Sequence, residues 1–353
     1  MTVITQPGIP CAPIVLPGVY DMPEADYHAD PCPVPSLSAS IAKLLIDRSP
    51  RHAWHRHPRL NPAHESEDST TFDMGRLAHK LVLGAGGDIA VIDADDWRTA
   101  AAKALRDAAR AAGKTPVLAR QMEQARVMEK AIFRQLAKHE EARLAFTNGK
   151  PEQTIIWREE IDGVEVWCRA RLDWLPNPGG NVFDDFKSTG VPASAGQWGQ
   201  RTFWETGCDV QAAFYLRGIK ALSRLPANSM RGPPLPADPQ FRFVVAENEE
   251  PFAVAVHTLA PASLAMADRK VDYAMRIWAR SLKSDWWPGY PPFTSYLDAP
   301  PWQERRWIDR EESGETNPEN WKQFYPMHDR EPGTAITEPG QPFDVVDVVE
   351  VAT

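Results

Sequence analysis

The chain has 353 residues, a hydrophobic fraction of 43% and a formal net charge of −9. This length allows one large domain or two ordinary ones, and the apolar content is enough for a sizeable core. No apolar run is long enough to span a bilayer, and the N-terminus lacks the basic and apolar segments of a secretory signal, so we expect a cytoplasmic protein without a membrane partner. The scattered cysteines argue against a zinc site and against a disulfide framework: Cys11, Cys32, Cys168 and Cys208.

The negative charge is unevenly distributed along the chain. Residues 301–353 hold 12 Asp or Glu and 5 Lys or Arg, whereas residues 97–143 hold 11 Lys or Arg and 5 Asp or Glu. A near-neutral body with a basic helical region is compatible with a nucleic-acid partner. The basic residues of 97–143 form either solvated helix faces or a wall along a DNA groove, and the sequence leaves both interpretations open.

The first 150 residues favour helices. A proline-rich arm, residues 1–25, is expected to be loosely ordered. Ser36 or Ser38 caps a helix that reaches Leu45, and Ser49 caps a second one with Pro50 at its first position. Further helices are predicted for 71–83, which ends at a glycine, and for 96–147, which contains two or three of them.

From residue 151 onward strands and helices alternate. Three strands (152–160, 164–175, 182–187) are predicted to form an antiparallel meander, because short turn sequences separate them. Helices at 194–206, 209–223 and 262–282 and a hairpin of 241–246 with 252–259 follow. Residues 301–353 lack a period and are expected to be a weakly ordered acidic tail.

The candidate chemistry lies on the second and third strands of this predicted meander. Strand alternation places Arg169, Arg171 and Asp173 on one face, and Asp185 with Lys187 on one face of the next strand. Pairing of these strands brings two carboxylates and a lysine together, which suits a divalent metal and a phosphate. Alternation puts Asp184 on the opposite face, outside this site.

Each of these signals also has a purely structural interpretation. Asp185 can form a surface salt bridge with Lys187 or Arg171, although its position in a strand with an apolar opposite face argues against this. His79 lies four residues after Gly75 on one helix, and a lone histidine there is more often structural than a ligand.

Five motifs in order resemble those of the PD-(D/E)xK nuclease superfamily, in its branch of RecE-like and RecB-like phage exonucleases. They are Gly75-Arg-Leu-Ala-His79, Glu152 in Pro-Glu-Gln-Thr-Ile-Ile-Trp, Cys168-Arg-Ala-Arg-Leu-Asp173-Trp, Asp185-Phe-Lys187-Ser-Thr and Gln211-Ala-Ala-Phe-Tyr215. Tyr27-His-Ala-Asp and the serines around 36–50 resemble the N-terminal helical segment of that branch. The similarity covers about residues 27 to 215.

The resemblance implies an α/β nuclease core, with a central mixed sheet flanked by helices and an N-terminal helical region. We assign it to residues 26–300, with 26–147 mainly helical and 151–300 forming the sheet and its flanking helices. Metal ligands would be His79, Asp173 and Asp185, and Lys187 would be the catalytic lysine. Glu152, Gln211 and Tyr215 would complete the catalytic set, and DNA contacts are expected from Arg169, Arg171, Ser188 and Thr189.

The cofactor implied is Mg²⁺, with Mn²⁺ as a substitute and without an iron–sulfur cluster. The activity implied is exonucleolytic hydrolysis of linear duplex DNA in a bacterial or phage-infected cytoplasm, exposing single strands for an annealing partner, with a homo-oligomer among the expectations. Alternatives are a structure-specific or single-strand nuclease of the same fold, as in CRISPR adaptation, an inert DNA-binding module, and an interaction protein whose acidic tail mimics DNA.

Overall fold

The structure is a computed structural model that describes residues 14, 16–61, 63–64, 74–85 and 89–324. The described part of residues 26–147 is mainly helical. The elements are β1 (Gly18–Tyr20), α1 (Glu24–His28), α2 (Ala39–Asp47), α3 (Pro50–Arg56), α4 (Met74–Leu83), β2 (Ile89–Ile92), α5 (Ala100–Ala111), β3 (Thr115–Leu118) and α6 (Ala119–Leu136).

The predicted caps explain where several of these helices begin and end. The Ser38 hydroxyl accepts a hydrogen bond from the Ile41 amide at 3.4 Å and caps α2. Pro50 occupies the first turn of α3, where its missing amide proton costs nothing. Gly84 follows α4 with a φ of 61°, a left-handed conformation that glycine adopts without strain.

Strands dominate the next stretch of the chain, and helices pack against them. In order these are β4 (Gly149–Ile161), β5 (Val164–Pro176), β6 (Val182–Thr189), a π-helical turn (Trp198–Thr202), α7 (Phe203–Thr206), α8 (Cys208–Ser223), β7 (Gln240–Glu247), β8 (Val254–His257) and α9 (Pro261–Ser284). The predicted strands, the β7–β8 hairpin and the helices α8 and α9 are all present.

The predicted meander is wrong in its third strand. One sheet has the order β1-β4-β5, with both pairs antiparallel. The other has the order β6-β7-β8, and β6 pairs with β7 in parallel. No ladder joins β5 to β6 within the described part of the chain, and their link is instead a hydrogen bond from the Phe186 amide to the Asp173 carboxylate at 2.8 Å. A short turn favours a hairpin locally, but β7, which is distant in sequence, takes the pairing edge of β6.

Strand β7 shows that helices cover both faces of its sheet. Its residues alternate between two hydrophobic clusters, because successive side chains of a strand point to opposite faces. Phe243 and Val245 belong to the larger cluster, which includes residues of α2, α8 and α9. Val244 and Ala246 belong to a second cluster with residues of α4 and α6. The mixed sheet flanked by helices is therefore confirmed.

The N-terminal boundary differs from the prediction. Gly18–Tyr20, expected in a loose arm, forms β1 and pairs with β4 from Thr154 to Ile156. Ile89–Ile92 and Thr115–Leu118, within the region expected to be helical, form a parallel two-stranded sheet. Residues 1–13 of the predicted arm lie outside the described residues. Short strands of three or four residues carry too little periodicity for the sequence to reveal them.

The chain divides into two units, Met1–Tyr290 and Pro291–Thr353. The second unit contains α10 (Pro301–Glu312), a 3₁₀ turn (Pro318–Asn320) and α11 (Trp321–Phe324) in its described residues. The expectation of a weakly ordered tail therefore does not hold for Pro301–Glu312, and its remainder beyond 324 lies outside the described residues. None of the described helices combines the length and the apolar character needed to cross a membrane.

Candidate functional site

Five elements of the first unit bring the predicted site residues together. His79 comes from α4, Glu152 from β4 and Asp173 from β5. Asp185 and Lys187 come from β6, and α8 adds Gln211 and Tyr215. Residues that are up to 136 positions apart in the sequence thus meet at one place, beside the end of β5 that carries Asp173.

A histidine and two carboxylates form the more open half of this site. His79 Nε2 lies 3.1 Å from Asp173 Oδ2, and His79 Nδ1 lies 3.7 Å from Glu152 Oε1. One ligand atom from each of the three residues lies within 4.8 Å of those from the other two. Glu152 thus becomes a candidate metal ligand, a role that the sequence does not distinguish from the other catalytic roles expected for it.

The backbone of Glu152 explains how its carboxylate reaches this cluster. Glu152 lies between Pro151 and Gln153, which pair with Trp174 and Leu172, so it faces Asp173 across the ladder. Its φ is 55°, in the left-handed region that costs a non-glycine residue about 1 kcal/mol or more. Such local strain is concentrated at functional sites, where surrounding contacts maintain it.

Asp185, Lys187 and Gln211 form the buried half of the site. The Asp185 side chain is 1% exposed, and its Oδ2 accepts a hydrogen bond from Gln211 Nε2 at 2.6 Å. Lys187 Nζ forms an ion pair with Oδ1 of the same carboxylate. That oxygen is fully buried, and the Lys187 ammonium is its partner. A buried carboxylate is tolerated only when cations and hydrogen bonds compensate its charge.

The two aspartates have opposite electrostatic environments. Burial and the nearby negative charge of Asp173 raise the pKa of Asp185 to about 7, although Lys187 opposes this. Burial also acts to raise the pKa of Asp173, but the hydrogen bond and charge of His79, together with Lys187 and the Phe186 amide, lower it below its usual value. Two carboxylates this close resist carrying two charges unless cations compensate them.

The basic groups respond to the same concentration of negative charge. Burial acts to lower the pKa of Lys187, but Asp185 and Asp173 outweigh it and raise the pKa. Burial also acts to lower the pKa of His79, but the hydrogen bond and charge of Asp173 and the charge of Glu152 outweigh it and raise this pKa. Burial raises the pKa of Tyr215 well above its ordinary value, so this phenol stays protonated. The site therefore holds an excess of carboxylates and attracts cations.

The residues present fit a divalent metal. His79, Glu152 and Asp173 offer one nitrogen and two carboxylate ligands, and the buried Asp185 carboxylate lies close enough for its charge to act on His79 and Asp173. Carboxylates are the preferred ligands of Mg²⁺ and Mn²⁺, and both ions keep positions for water and phosphate oxygens. Glu152 joins the predicted ligands His79, Asp173 and Asp185 as a fourth candidate.

Arg169 is not available to DNA, contrary to the prediction. Its side chain is 4% exposed, and Nη1 donates to the carbonyl and the hydroxyl of Ser36 at 2.8 and 2.6 Å. It also forms an ion pair at 3.2 Å with Asp30, whose side chain is fully buried. Face alternation is correct here, but the N-terminal segment covers this part of the face.

The other predicted DNA contacts have different outcomes. Thr189 is buried, and its hydroxyl exchanges hydrogen bonds with the backbone of Val191, so it is also withdrawn. Arg171 Nε donates to Glu152 Oε2, and its Nη1 donates to the Met22 carbonyl at 3.0 Å. Ser188 is partly exposed. A DNA contact by Ser188 stays a prediction, whereas the observed partners of Arg171 give it a structural task.

Asp184 lies outside the site, as alternation indicates. Its carboxylate accepts hydrogen bonds from Arg242 Nε and Nη2 at 2.8 and 3.0 Å. Burial raises the pKa of Asp184, and this two-point contact with Arg242 opposes the rise. Asp184 therefore joins β6 to its parallel neighbour β7 and contributes nothing to the metal cluster.

One family model and two solved structures are similar to this chain. A family model described as a PDDEXK-like domain of unknown function (DUF3799) matches residues 38–298. A crystal structure of a "putative exonuclease" from Eubacterium rectale is 14% identical, with 80% of this chain and 96% of that chain covered and a TM-score of 0.46. The crystal structure of SSO0001 is 11% identical, with 62% and 88% covered and a TM-score of 0.25. No curated protein matches the sequence.

The family match covers most of the first unit and includes every residue of the site. The resemblance to the PD-(D/E)xK superfamily is thereby confirmed, and with it a nuclease-type domain. Because the family model matches residues 38–298, the chain belongs to the family of PDDEXK-like domains of unknown function.

Proposed function

We propose that the protein is a metal-dependent DNA exonuclease that hydrolyses phosphodiester bonds of linear duplex DNA. The observation that carries this proposal is the convergence of His79, Glu152, Asp173, Asp185 and Lys187 at one place. The carboxylates suit a divalent cation, and Lys187 adds a positive charge where a phosphate would lie. Structural ion pairs alone do not explain the strained backbone of Glu152 or the close approach of the buried Asp173 and Asp185 carboxylates, which repel each other.

The side chains of the site have separable tasks in this reaction. Bound Mg²⁺ or Mn²⁺ would polarise the scissile phosphate and favour ionisation of the attacking water. Lys187, with its raised pKa, stays charged and stabilises negative charge that develops on the phosphate. Gln211 holds one oxygen of Asp185 by its hydrogen bond, which orients the other oxygen. Tyr215 is buried on α8, one turn after Gln211.

The physiological setting extends the same proposal. Digestion of one strand from a duplex end would leave single-stranded DNA, the substrate of a single-strand annealing protein. The resemblance to RecE-like and RecB-like exonucleases supports this partner, a cytoplasmic location and a homo-oligomer. A single-strand or structure-specific nuclease would use the same residues, so comparing linear, circular and flapped DNA separates these activities.

The test replaces Lys187 by alanine and follows degradation of linear duplex DNA with Mg²⁺. We expect a loss of about 10²- to 10³-fold in rate, because one preorganised charge at a reacting phosphate contributes on this order. Lys130→Ala removes an exposed lysine from α6 and is the matched control, expected to keep full activity. Undiminished cleavage by a folded Lys187→Ala variant would contradict the proposal.

A further inference from the structure

The solvent face of α9 carries a line of basic and aromatic side chains. Arg269, Tyr273, Arg276, Arg280 and Lys283 follow one another at intervals of four, three, four and three residues, and all are exposed. Residues at these intervals lie on one face of a helix. The opposite face is buried in the larger core and fixes the helix in place, through Ala267, Val271, Ala274, Met275 and Trp278.

This line of side chains, which we call the α9 stripe, is not neutralised by carboxylates. Asp272 of α9 forms an ion pair with Arg217 of α8, so it turns toward that helix. Asp268 is also near the basic residues of α8, because the charges of Lys220 and Arg217 act on it. Among the residues that the structure describes, Arg276, Arg280 and Lys283 form no ion pair. In a chain of net charge −9, four cations thus stand together on one helix face.

The chain that follows α9 continues the stripe with aromatic residues. Trp286 is 66% exposed and Tyr290 is 67% exposed, whereas Trp287 between them is buried against Trp278. The Pro288 carbonyl accepts a hydrogen bond from the Arg51 amide at 3.0 Å, which attaches this segment to α3. The exposed rings of this anchored segment are therefore available to stack on a ligand.

The alternation of cations and rings indicates the partner. Arginine and lysine side chains bind phosphates, and exposed aromatic rings stack on unpaired bases of any sequence. The stripe from Arg269 to Lys283 is about 21 Å long at about 1.5 Å per residue, which is enough to contact several nucleotides of a single strand. An acidic peptide would use the cations but would not need the rings.

We propose that the α9 stripe binds single-stranded DNA outside the catalytic centre, with Arg276, Arg280 and Lys283 on phosphates and Tyr273 and Trp286 under bases. The choice of DNA rests on the proposed nuclease function, which produces such a strand. This surface would hold the strand while the site acts at the end of the duplex.

The test measures binding of a fluorescently labelled oligonucleotide to the full chain by anisotropy, with EDTA present so that no cleavage occurs. In the triple variant Arg276→Gln, Arg280→Gln, Lys283→Gln we expect affinity for the single strand to fall at least about tenfold. The slope of log affinity against log salt should shrink by about 2, since each phosphate contact on a single strand contributes about 0.7.

A second variant, Tyr273→Ala, separates stacking from charge. It should weaken binding about tenfold and leave the salt slope unchanged, because one stacked base is lost and no cation is removed. Tyr273→Phe keeps the ring and should restore affinity. A polyglutamate peptide is the probe for the alternative partner, an acidic peptide. If the α9 variants bind polyglutamate more weakly but bind DNA as well as the unchanged chain does, the proposal is overturned.

The charge-matched control removes three exposed cations from α6, by Arg120→Gln, Arg126→Gln and Lys130→Gln. This helix belongs to the basic region where the sequence alone allows a DNA wall. Equal losses in both triple variants, or a loss in the α6 variant alone, would overturn the proposal. The binding assay does not depend on cleavage, which the separate Mg²⁺ digestion measures. If the chain cleaves duplex DNA but binds single strands without the α9 stripe, the stripe is refuted and the nuclease is not. If it binds single strands through the α9 stripe but does not cleave, the nuclease is refuted and the stripe is not.

Discussion

At the scale of single residues, the contacts of Arg171 differ most from those that the sequence predicts. It was expected to contact DNA, but its Nε donates to Glu152 and its Nη1 to the Met22 carbonyl. Glu152 has a left-handed backbone, and its other carboxylate oxygen lies toward His79. Arg171 is therefore a positioning residue: it binds one oxygen of Glu152 and leaves the other for the metal cluster.

Replacing Arg171 by methionine should weaken metal binding by about 10- to 100-fold, the usual effect of removing a partner that orients a ligand. Lysine at this position should not restore it, because an ammonium lacks the planar fork that contacts both Glu152 and the Met22 carbonyl. Calorimetric titration with Mn²⁺ measures the effect without requiring activity.

Arg158→Met provides a matched control for this measurement. Arg158 also pairs with a glutamate across the β4–β5 hairpin, Glu165 at 2.8 Å, but both side chains are exposed. Exposed pairs contribute little to stability, so this variant should bind the metal normally. An unchanged Mn²⁺ affinity in Arg171→Met would remove the positioning role.

At the scale of elements, the docking of α8 on β4 determines where Gln211 meets Asp185. Gly218 makes this close approach possible, because a Cβ there would lie 2.6 Å from Trp157 Cζ3. Trp157 is itself fully buried and packs on Phe214 of α8, with ring centroids 4.9 Å apart. A glycine within a helix thus has a packing reason that outweighs its low helix propensity.

Gly218→Ala should destabilise the protein by about 1–3 kcal/mol, the usual cost of overpacking a filled core. This is the opposite of the gain of about 1 kcal/mol that alanine brings to an exposed helix position. Urea unfolding measures the difference. Gly190→Ala is the control, since a Cβ there meets nothing within 4 Å. Greater stability in Gly218→Ala would show that α8 does not need this contact.

At the scale of the whole molecule, every residue assigned to the candidate site lies in the unit Met1–Tyr290. Every candidate ligand, both three-stranded sheets and both large hydrophobic clusters lie within it. The acidic residues of 301–353 belong to the other unit. This separation argues for catalysis by the first unit rather than for a protein that acts through an acidic, DNA-like tail.

A chain that ends at Tyr290 should keep its Mn²⁺ affinity and DNA cleavage within about twofold of the full chain, because it keeps a complete core and site. Metal titration and digestion of linear duplex DNA measure both properties. The opposite result would be a truncated chain that no longer cleaves DNA, together with an Asp185→Asn variant of the full chain that still does. This result would support the alternative of an interaction protein whose acidic tail mimics DNA.

Local chemistry made much of the site predictable from the sequence. Strand alternation is a property of a few consecutive residues, so it correctly grouped Asp185 with Lys187 and set Asp184 apart. Ser38 caps α2 and the glycine after α4 ends that helix, as predicted, whereas Ser49 precedes α3 without a side-chain cap hydrogen bond. The ordered motifs then indicated that His79, Glu152 and Gln211 belong with them.

Tertiary structure decided what depends on residues distant in the chain. β6 pairs with β7 rather than β5, because pairing with a distant strand overrides the preference of a short turn for a hairpin. Arg169 lies on the predicted face of β5, but Asp30 and Ser36, which are distant in sequence, cover it. The unusual backbone of Glu152 and its contact with Arg171 also have no local sequence signal. The residue types of the metal site were thus determined by the sequence, while the choice of Glu152 as a ligand candidate and the exposure of the α9 stripe required the packed fold.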